Sequence, residues 1–250
     1  MKKITLLLIT VLLTFSCSEK EKGNVQITGE IKGLTQGKLY IQRLKDTVLK
    51  PIKMIRFDGN STFETAINID EPEVLFLYLD RGVSNSLDNN IAFFAEKGKM
   101  TIYSEVDNFI SKARITGSKN QELWDEYKKV MANYSRKNLE YIEQKLIAGY
   151  NNETQKVDSL QRLEDNILKK KYLYAVNFCL NNSDYEIAPY IALSDIFDIN
   201  TRYLDTVHNS LTEPVRNSKY GKLLTQYLAD IKRQQEKEVL GVENQNPGIE

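Results

Sequence analysis

Two cysteines, Cys17 and Cys179, are the only thiols in this 250-residue sequence, and His208 is its only imidazole. Thiol-disulfide exchange within one chain uses a close pair such as C-x-x-C, and a structural zinc uses four Cys or His ligands. The sequence supplies neither. A Ser-His-Asp set would have to rest on His208, which falls within a helical pattern at residues 201–211. Cys179 stands between Phe178 and Leu180 with no basic neighbour to lower its pKa, and reads as a buried structural thiol. The acid pair Asp125-Glu126 is followed by Lys128 and Lys129, the spacing of a solvated helix face. Glycines stand singly at turns, so no phosphate-cradling loop is formed. The sequence therefore names no catalytic residue, no cofactor-binding residue and no metal ligand.

Cys17 has a different setting. Lys2 and Lys3 precede an apolar run from Ile4 to Phe15, then Ser16. That run is too short for a transmembrane helix, which needs ~20 residues, and reads as the core of a signal peptide. Leu13-Thr14-Phe15-Ser16-Cys17 resembles a bacterial lipobox, which implies cleavage before Cys17 and acylation of that cysteine. Several acyl chains at ~0.8 kcal/mol per buried CH₂ make such an attachment effectively permanent. An ordinary secretory leader with an incidental Cys17 is the alternative. The charged residues 18–23 then serve as a tether. The expected organisation is a signal peptide over 1–16, a tether over 17–23, a β domain over 24–117, a helical domain over 118–238 and a flexible tail over 239–250.

The β domain is read from period-two alternation. Val25, Ile27 and Ile31 alternate with polar residues, Gly33 to Gly37 makes a turn, and residues 39–43 form the next strand. Residues 47–57 are extended, with Pro51 pointing to an edge or a bulge. Asp58-Gly59-Asn60 reads as a hairpin turn into residues 62–67, and Lys97-Gly98 as a second hairpin between residues 91–95 and 100–103. Val74-Leu75-Phe76-Leu77-Tyr78-Leu79 is apolar throughout and reads as a central strand. Short strands at this spacing predict an antiparallel β-sandwich or partly open barrel, so that with the helices the fold class is α+β. The polar loop at residues 80–90 is either a plain connection or, since loops on a rigid sheet commonly carry binding, a partner surface.

From Leu123 the apolar period changes to threes and fours. Ser118 or Asn120 caps a long helix with Leu123, Tyr127, Val130, Tyr134, Tyr141 and Leu146 inward, ending near residues 149–152. A second spans residues 153–180 with Val157, Leu160, Leu163, Ile167, Tyr174 and Phe178 inward. Shorter helices follow at 187–197, with Pro189 early, and at 201–211 behind an Asn200 cap. The last runs from Tyr220 to about Lys237 behind Ser218.

This order of segments resembles the N-terminal module of unknown function that precedes the redox domain in thioredoxin-like thiol-disulfide oxidoreductase lipoproteins. The resemblance rests on Ile27-Thr28-Gly29-Glu30-Ile31, Gly37-Lys38-Leu39-Tyr40, Phe57-Asp58-Gly59 with Phe63, Phe93-Phe94-Ala95-Glu96-Lys97-Gly98 and Ile115-Thr116-Gly117-Ser118. In the helical half it rests on Ala188-Pro189-Tyr190-Ile191-Ala192-Leu193 and Ser218-Lys219-Tyr220-Gly221-Lys222. In that family the helices lead to a thioredoxin fold with C-x-x-C. Here Leu240-Gly241-Val242 and Asn246-Pro247 resemble the linker to it, and no C-x-x-C follows in the sequence given.

Lys plus Arg and Asp plus Glu both number 34, and a leader would carry away Lys2 and Lys3, so nothing favours a nucleic-acid partner. Asp46-Thr47-Val48, Asp158-Ser159-Leu160 and Asp205-Thr206-Val207 resemble acceptors of bacterial O-glycosylation. The function expected is that of a non-catalytic binding or interaction module. It would be held at the cell envelope as an outer membrane lipoprotein, periplasmic or surface-facing, through the lipid on Cys17, with an envelope protein as partner. The alternative is an accessory or truncated relative of the oxidoreductases acting with a separate redox partner.

Overall fold

The structure is a computed structural model that describes residues 22–80 and 89–243. The leader, Cys17, most of the tether, the centre of the 80–90 loop and the last seven residues lie outside the described residues. Eight strands come first: β1 (Val25–Lys32), β2 (Gln36–Lys45), β3 (Val48–Asp58), β4 (Thr62–Ile67), β5 (Glu73–Asp80), β6 (Asn90–Ala95), β7 (Gly98–Glu105) and β8 (Arg114–Thr116). Six helices follow: α1 (Lys119–Tyr150), α2 (Thr154–Asn181), α3 (Ile187–Ser194), α4 (Thr201–Ser210), α5 (Glu213–Arg216) and α6 (Lys219–Glu243).

The strands form two four-stranded sheets, ordered β4-β1-β7-β8 and β3-β2-β5-β6. Pairing is antiparallel except for β1 with β7, which is parallel. The fold is thus α+β, a sandwich rather than a closed barrel. Pro51 lies on the edge strand β3, where the register with β2 shifts between Ile41 and Gln42. Both devices the proline suggested are present, because a residue without an N–H fits an edge or a bulge.

The two turns read as hairpins are sheet crossings. β3 pairs with β2 while β4 pairs with β1, and β6 pairs with β5 while β7 pairs with β1 and β8. Turn residues at 58–60 and 97–98 reverse the chain, but burial of Phe63 and Met100 between the sheets selects the partner strand.

Between the sheets lies one core, built from Val25, Ile27, Leu39, Ile41, Leu75, Leu77, Phe93, Met100 and Ile102 among others. A second core lies on the opposite face of β5 and β6, where Val74 and Phe94 pack against residues of α1, α2, α3, α4 and α6. Strand β5 is apolar on both faces because it serves both cores. The β and helical halves therefore share a sheet, and the junction at residue 117 is not a gap in packing.

Ser118 caps α1 by accepting from the Gln121 N–H at 3.0 Å, and Asn200 caps α4 by accepting from the Arg202 N–H at 3.0 Å. Helix α3 ends at Ser194, short of the expected 197, and α5 is a four-residue helix too brief for a periodicity. Helix α6 continues to Glu243, past the expected boundary at 238. Leu146 and Leu163, expected inward, are exposed at 69% and 41%. The reason is length: α1, at about 48 Å for ~1.5 Å per residue, outruns the core. Its buried core contacts are Leu123, Tyr127 and Met131 near the start, and those of α2 are Ala175, Val176, Phe178 and Cys179 near the end. Beyond them the two helices run as an arm.

Candidate functional site

The polar residues of the sequence motifs converge where the helices meet the sandwich. Glu96, in the crossing from β6 to β7, places its carboxylate on the N-terminus of α1. Its Oε1 accepts from the Asn120 N–H at 2.7 Å, Asn120 Nδ2 at 2.6 Å and Ser118 Oγ at 3.0 Å, and its Oε2 accepts from the Lys119 N–H at 3.2 Å. A carboxylate here meets free N–H donors and the positive end of the helix dipole. Asn120, almost fully buried, extends the contact to α3: Oδ1 accepts from the Ile187 N–H at 2.7 Å and Nδ2 donates to Glu186 Oε2 at 2.9 Å. Gly117 sets the approach. Its φ is +95°, and a Cβ would strike the Lys99 carbonyl oxygen.

A second joint has the same plan. Glu71 Oε2 accepts from the Lys219 N–H at 2.6 Å, at the start of α6. Buried Glu73 bridges Lys219 Nζ at 2.6 Å and the Arg43 guanidinium at 2.7 Å, linking α6 to β5 and β2. Tyr220 Oη accepts from the Val74 N–H at 2.8 Å. Gly221 is required because a Cβ there would collide with the Val215 and Arg216 carbonyl oxygens of α5.

Aromatic rings fill the space between the joints. Phe94 meets Trp124, Tyr190 and Tyr220 edge-on at centroid distances of 6.3, 5.8 and 5.8 Å, and Tyr190 meets Tyr220 at 5.0 Å. Such contacts add directional preference to apolar burial. Burial pushes the phenol of Tyr190 up to about 12 and that of Tyr220 above its ordinary value. Tyr127, raised by burial and then by the Asp195 charge, donates to Asp195 Oδ2 at 3.0 Å.

The residues singled out for chemistry are held apart. Cys179 is fully buried, its thiol donates to the Ala188 carbonyl at 3.3 Å, and burial foremost pushes its pKa up. That is the opposite of an activated thiol. His208 Nε2 lies 2.8 Å from Thr225 Oγ1 and ties α4 to α6. Asp125 binds Lys128 at 2.9 Å on the surface of α1. Among the described residues no group of three or more His, Cys, Asp or Glu is placed to hold a metal. Of the residues marked in the sequence, Ser118 meets Glu96 at the first joint and Tyr190 meets Tyr220 in the ring cluster, while Cys179 and His208 bond to groups outside both joints.

Among the described residues, one cleft of about 610 Å³ opens on the sandwich beside Gly33, Leu34, Gly37 and Asp80, and two further surfaces involve α1. On the arm, Leu139, Leu146 and Tyr150 share one face of α1 and are exposed at 65%, 69% and 89%. Nearer the sandwich, a cleft of about 330 Å³ lies at the outer edge of β6, walled by Ile110, Ala113 and Ile115 on one side and Gln121 and Trp124 on the other. Neither surface was read from the sequence, since each depends on which apolar residues the core leaves uncovered.

Residues 25–124 match a family model described as Domain of unknown function (DUF4369). The matched span runs from β1 into α1 and so includes Glu96, Ser118, Asn120 and Gln121, the whole β-side and α1 side of the first joint. It identifies a domain of unknown function and carries no statement about a redox partner domain. No curated protein and no solved structure matches the chain.

Proposed function

We propose that the protein is a membrane-anchored lipoprotein of the bacterial envelope that works as a non-catalytic binding or interaction module. The observation that carries this reading is the use made of the motif residues. Glu96, Ser118 and Asn120 at one joint and Glu71, Lys219 and Tyr220 at the other use their hydrogen bonds to fix helices onto the sandwich. The fixed body then projects an arm with uncovered Leu139, Leu146 and Tyr150, a surface suited to an envelope protein. The lipobox-like stretch ending at Cys17 supports the anchor. The sealed thiol of Cys179 weighs against the alternative of an oxidoreductase accessory that would exchange disulfides with a separate redox partner.

The test is site-specific photo-crosslinking in intact cells, with the photoreactive residue at Leu146 or, as a control, at Lys53 on edge strand β3. A discrete protein adduct from position 146, absent from position 53, is expected. Monomer alone from position 146 overturns the partner assignment.

A further inference from the structure

The pairing of β6 determines which of its backbone groups are satisfied. Val74 and Phe94 face each other across β5 and β6, yet each N–H goes to a side chain, of Tyr220 and Gln121 respectively. This pair therefore turns its backbone groups away from the shared ladder, and in an antiparallel sheet that phase returns every second residue. Two residues along, Ala92 pairs with Phe76, and its N–H and C=O point out from the sheet edge. Among the described residues no hydrogen bond from outside the strand pairing reaches them.

Gln121 acts as the first rung of a missing strand, its Oε1 accepting from the Phe94 N–H at 2.8 Å where a neighbouring carbonyl would sit. Helix α1 then climbs away and the cleft opens at the next rung. Ile110, Ile115 and Trp124 make its walls apolar, and Asp125 and Lys128 on the rim neutralise each other. Asn90 Oδ1, on the floor, is shielded from solvent and has no hydrogen-bond partner among the described residues.

We propose that this edge takes an extended peptide segment, added as a short strand beside residues 90–92. The peptide would exchange N–H and C=O bonds with Ala92, lay an uncharged apolar side chain against Ile115 and Trp124, and offer a donor to Asn90 Oδ1. Strand addition of this kind draws affinity from main-chain bonds and selectivity from the side-chain wall. The trough, bounded by α1 on one side and by the segment before β8 on the other, fits a single segment rather than the edge of a second sheet. The cleft volume is at the lower end for ligand sites, which matches a short segment. The inference rests on the reading of the chain as a binding module and places the contact away from the arm.

The experiment pans a random heptapeptide phage library on the immobilised full chain and measures the enriched peptide, synthesised, by fluorescence of Trp124, the only tryptophan. Peptides with alternating apolar residues and a saturable Trp124 shift are expected. Ala92→Pro removes the free donor without taking a bond from the ladder, and should weaken binding about tenfold or more at unchanged melting temperature. N-methylation of the peptide backbone should weaken binding to the wild-type chain alike, which keeps the test valid should the proline variant misfold. Leu146→Glu should have no effect. No enrichment, or affinity insensitive to N-methylation, overturns the proposal. So does a dimer that Ala92→Pro splits, which would give the edge to a second copy. Binding lost with Leu146→Glu but kept with Ala92→Pro refutes the cleft and leaves the binding-module reading standing.

Discussion

Glu96→Ala tests whether the first joint holds the helices to the sandwich. The substitution removes four hydrogen bonds to a carboxylate, three of them at 3.0 Å or less. A hydrogen bond to a charged group contributes about 1.5 to 3 kcal/mol net, and a helix-terminal charge about 0.3 to 1 kcal/mol. Half-buried Glu96 lets water reach part of the vacated site, and Asn120 Nδ2 keeps Glu186, so the contributions do not add in full. The expected loss is about 3 kcal/mol, roughly 150-fold in the unfolding equilibrium. At a slope of about 3 kcal/mol/M, the urea midpoint falls by about 1 M. The assay is urea unfolding followed in parallel by Trp124 fluorescence and far-ultraviolet circular dichroism. Because the two cores share β5 and β6, both probes should move together. Glu96→Gln, which keeps an acceptor and loses the charge, should lie between wild type and Ala. A change within about 0.5 kcal/mol for Glu96→Ala, the range of an ordinary surface substitution, refutes the joint as described.

Other consequences can be measured on the same preparation. Tyr220→Phe leaves the buried Val74 N–H without an acceptor and should cost about 1 to 3 kcal/mol in urea unfolding. Cys179 should resist a thiol reagent in the native chain and react at once in denaturant; rapid labelling of native protein would contradict its burial. Tyr190, raised to about 12, keeps its proton in the folded chain above pH 10 while the unfolded chain loses it. Stability should therefore be full below about pH 10 and fall as pH rises toward 12, by up to ~1.4 kcal/mol per pH unit for each such tyrosine. A flat alkaline profile in urea unfolding would contradict that burial.

Much of this fold is legible from residue order because local physics decided it. Alternation at Val25, Ile27 and Ile31 gives β1, Ser118 and Asn200 cap the helices they precede, and Pro51 marks the edge strand and its bulge. What is not legible is the choice of partner. Gly59 and Gly98 signal reversals, but whether the returning strand pairs with its neighbour or crosses to the other sheet depends on burial of Phe63 and Met100 far along the chain. The inward assignment of Leu146 and Leu163 fails for a related reason. Helical periodicity gives the direction of a side chain and not whether another element is there to cover it. The joints fall between these cases. Phe94, Glu96, Ser118, Tyr190 and Tyr220 stand out as motif residues, yet only the folded chain shows that they meet.

The reading as an anchored module is tested most directly by the intact mass of the protein purified from the envelope in detergent. The account predicts a mature chain that begins at Cys17 and carries acyl groups on that residue. An unmodified N-terminus, or a chain that starts elsewhere, contradicts it.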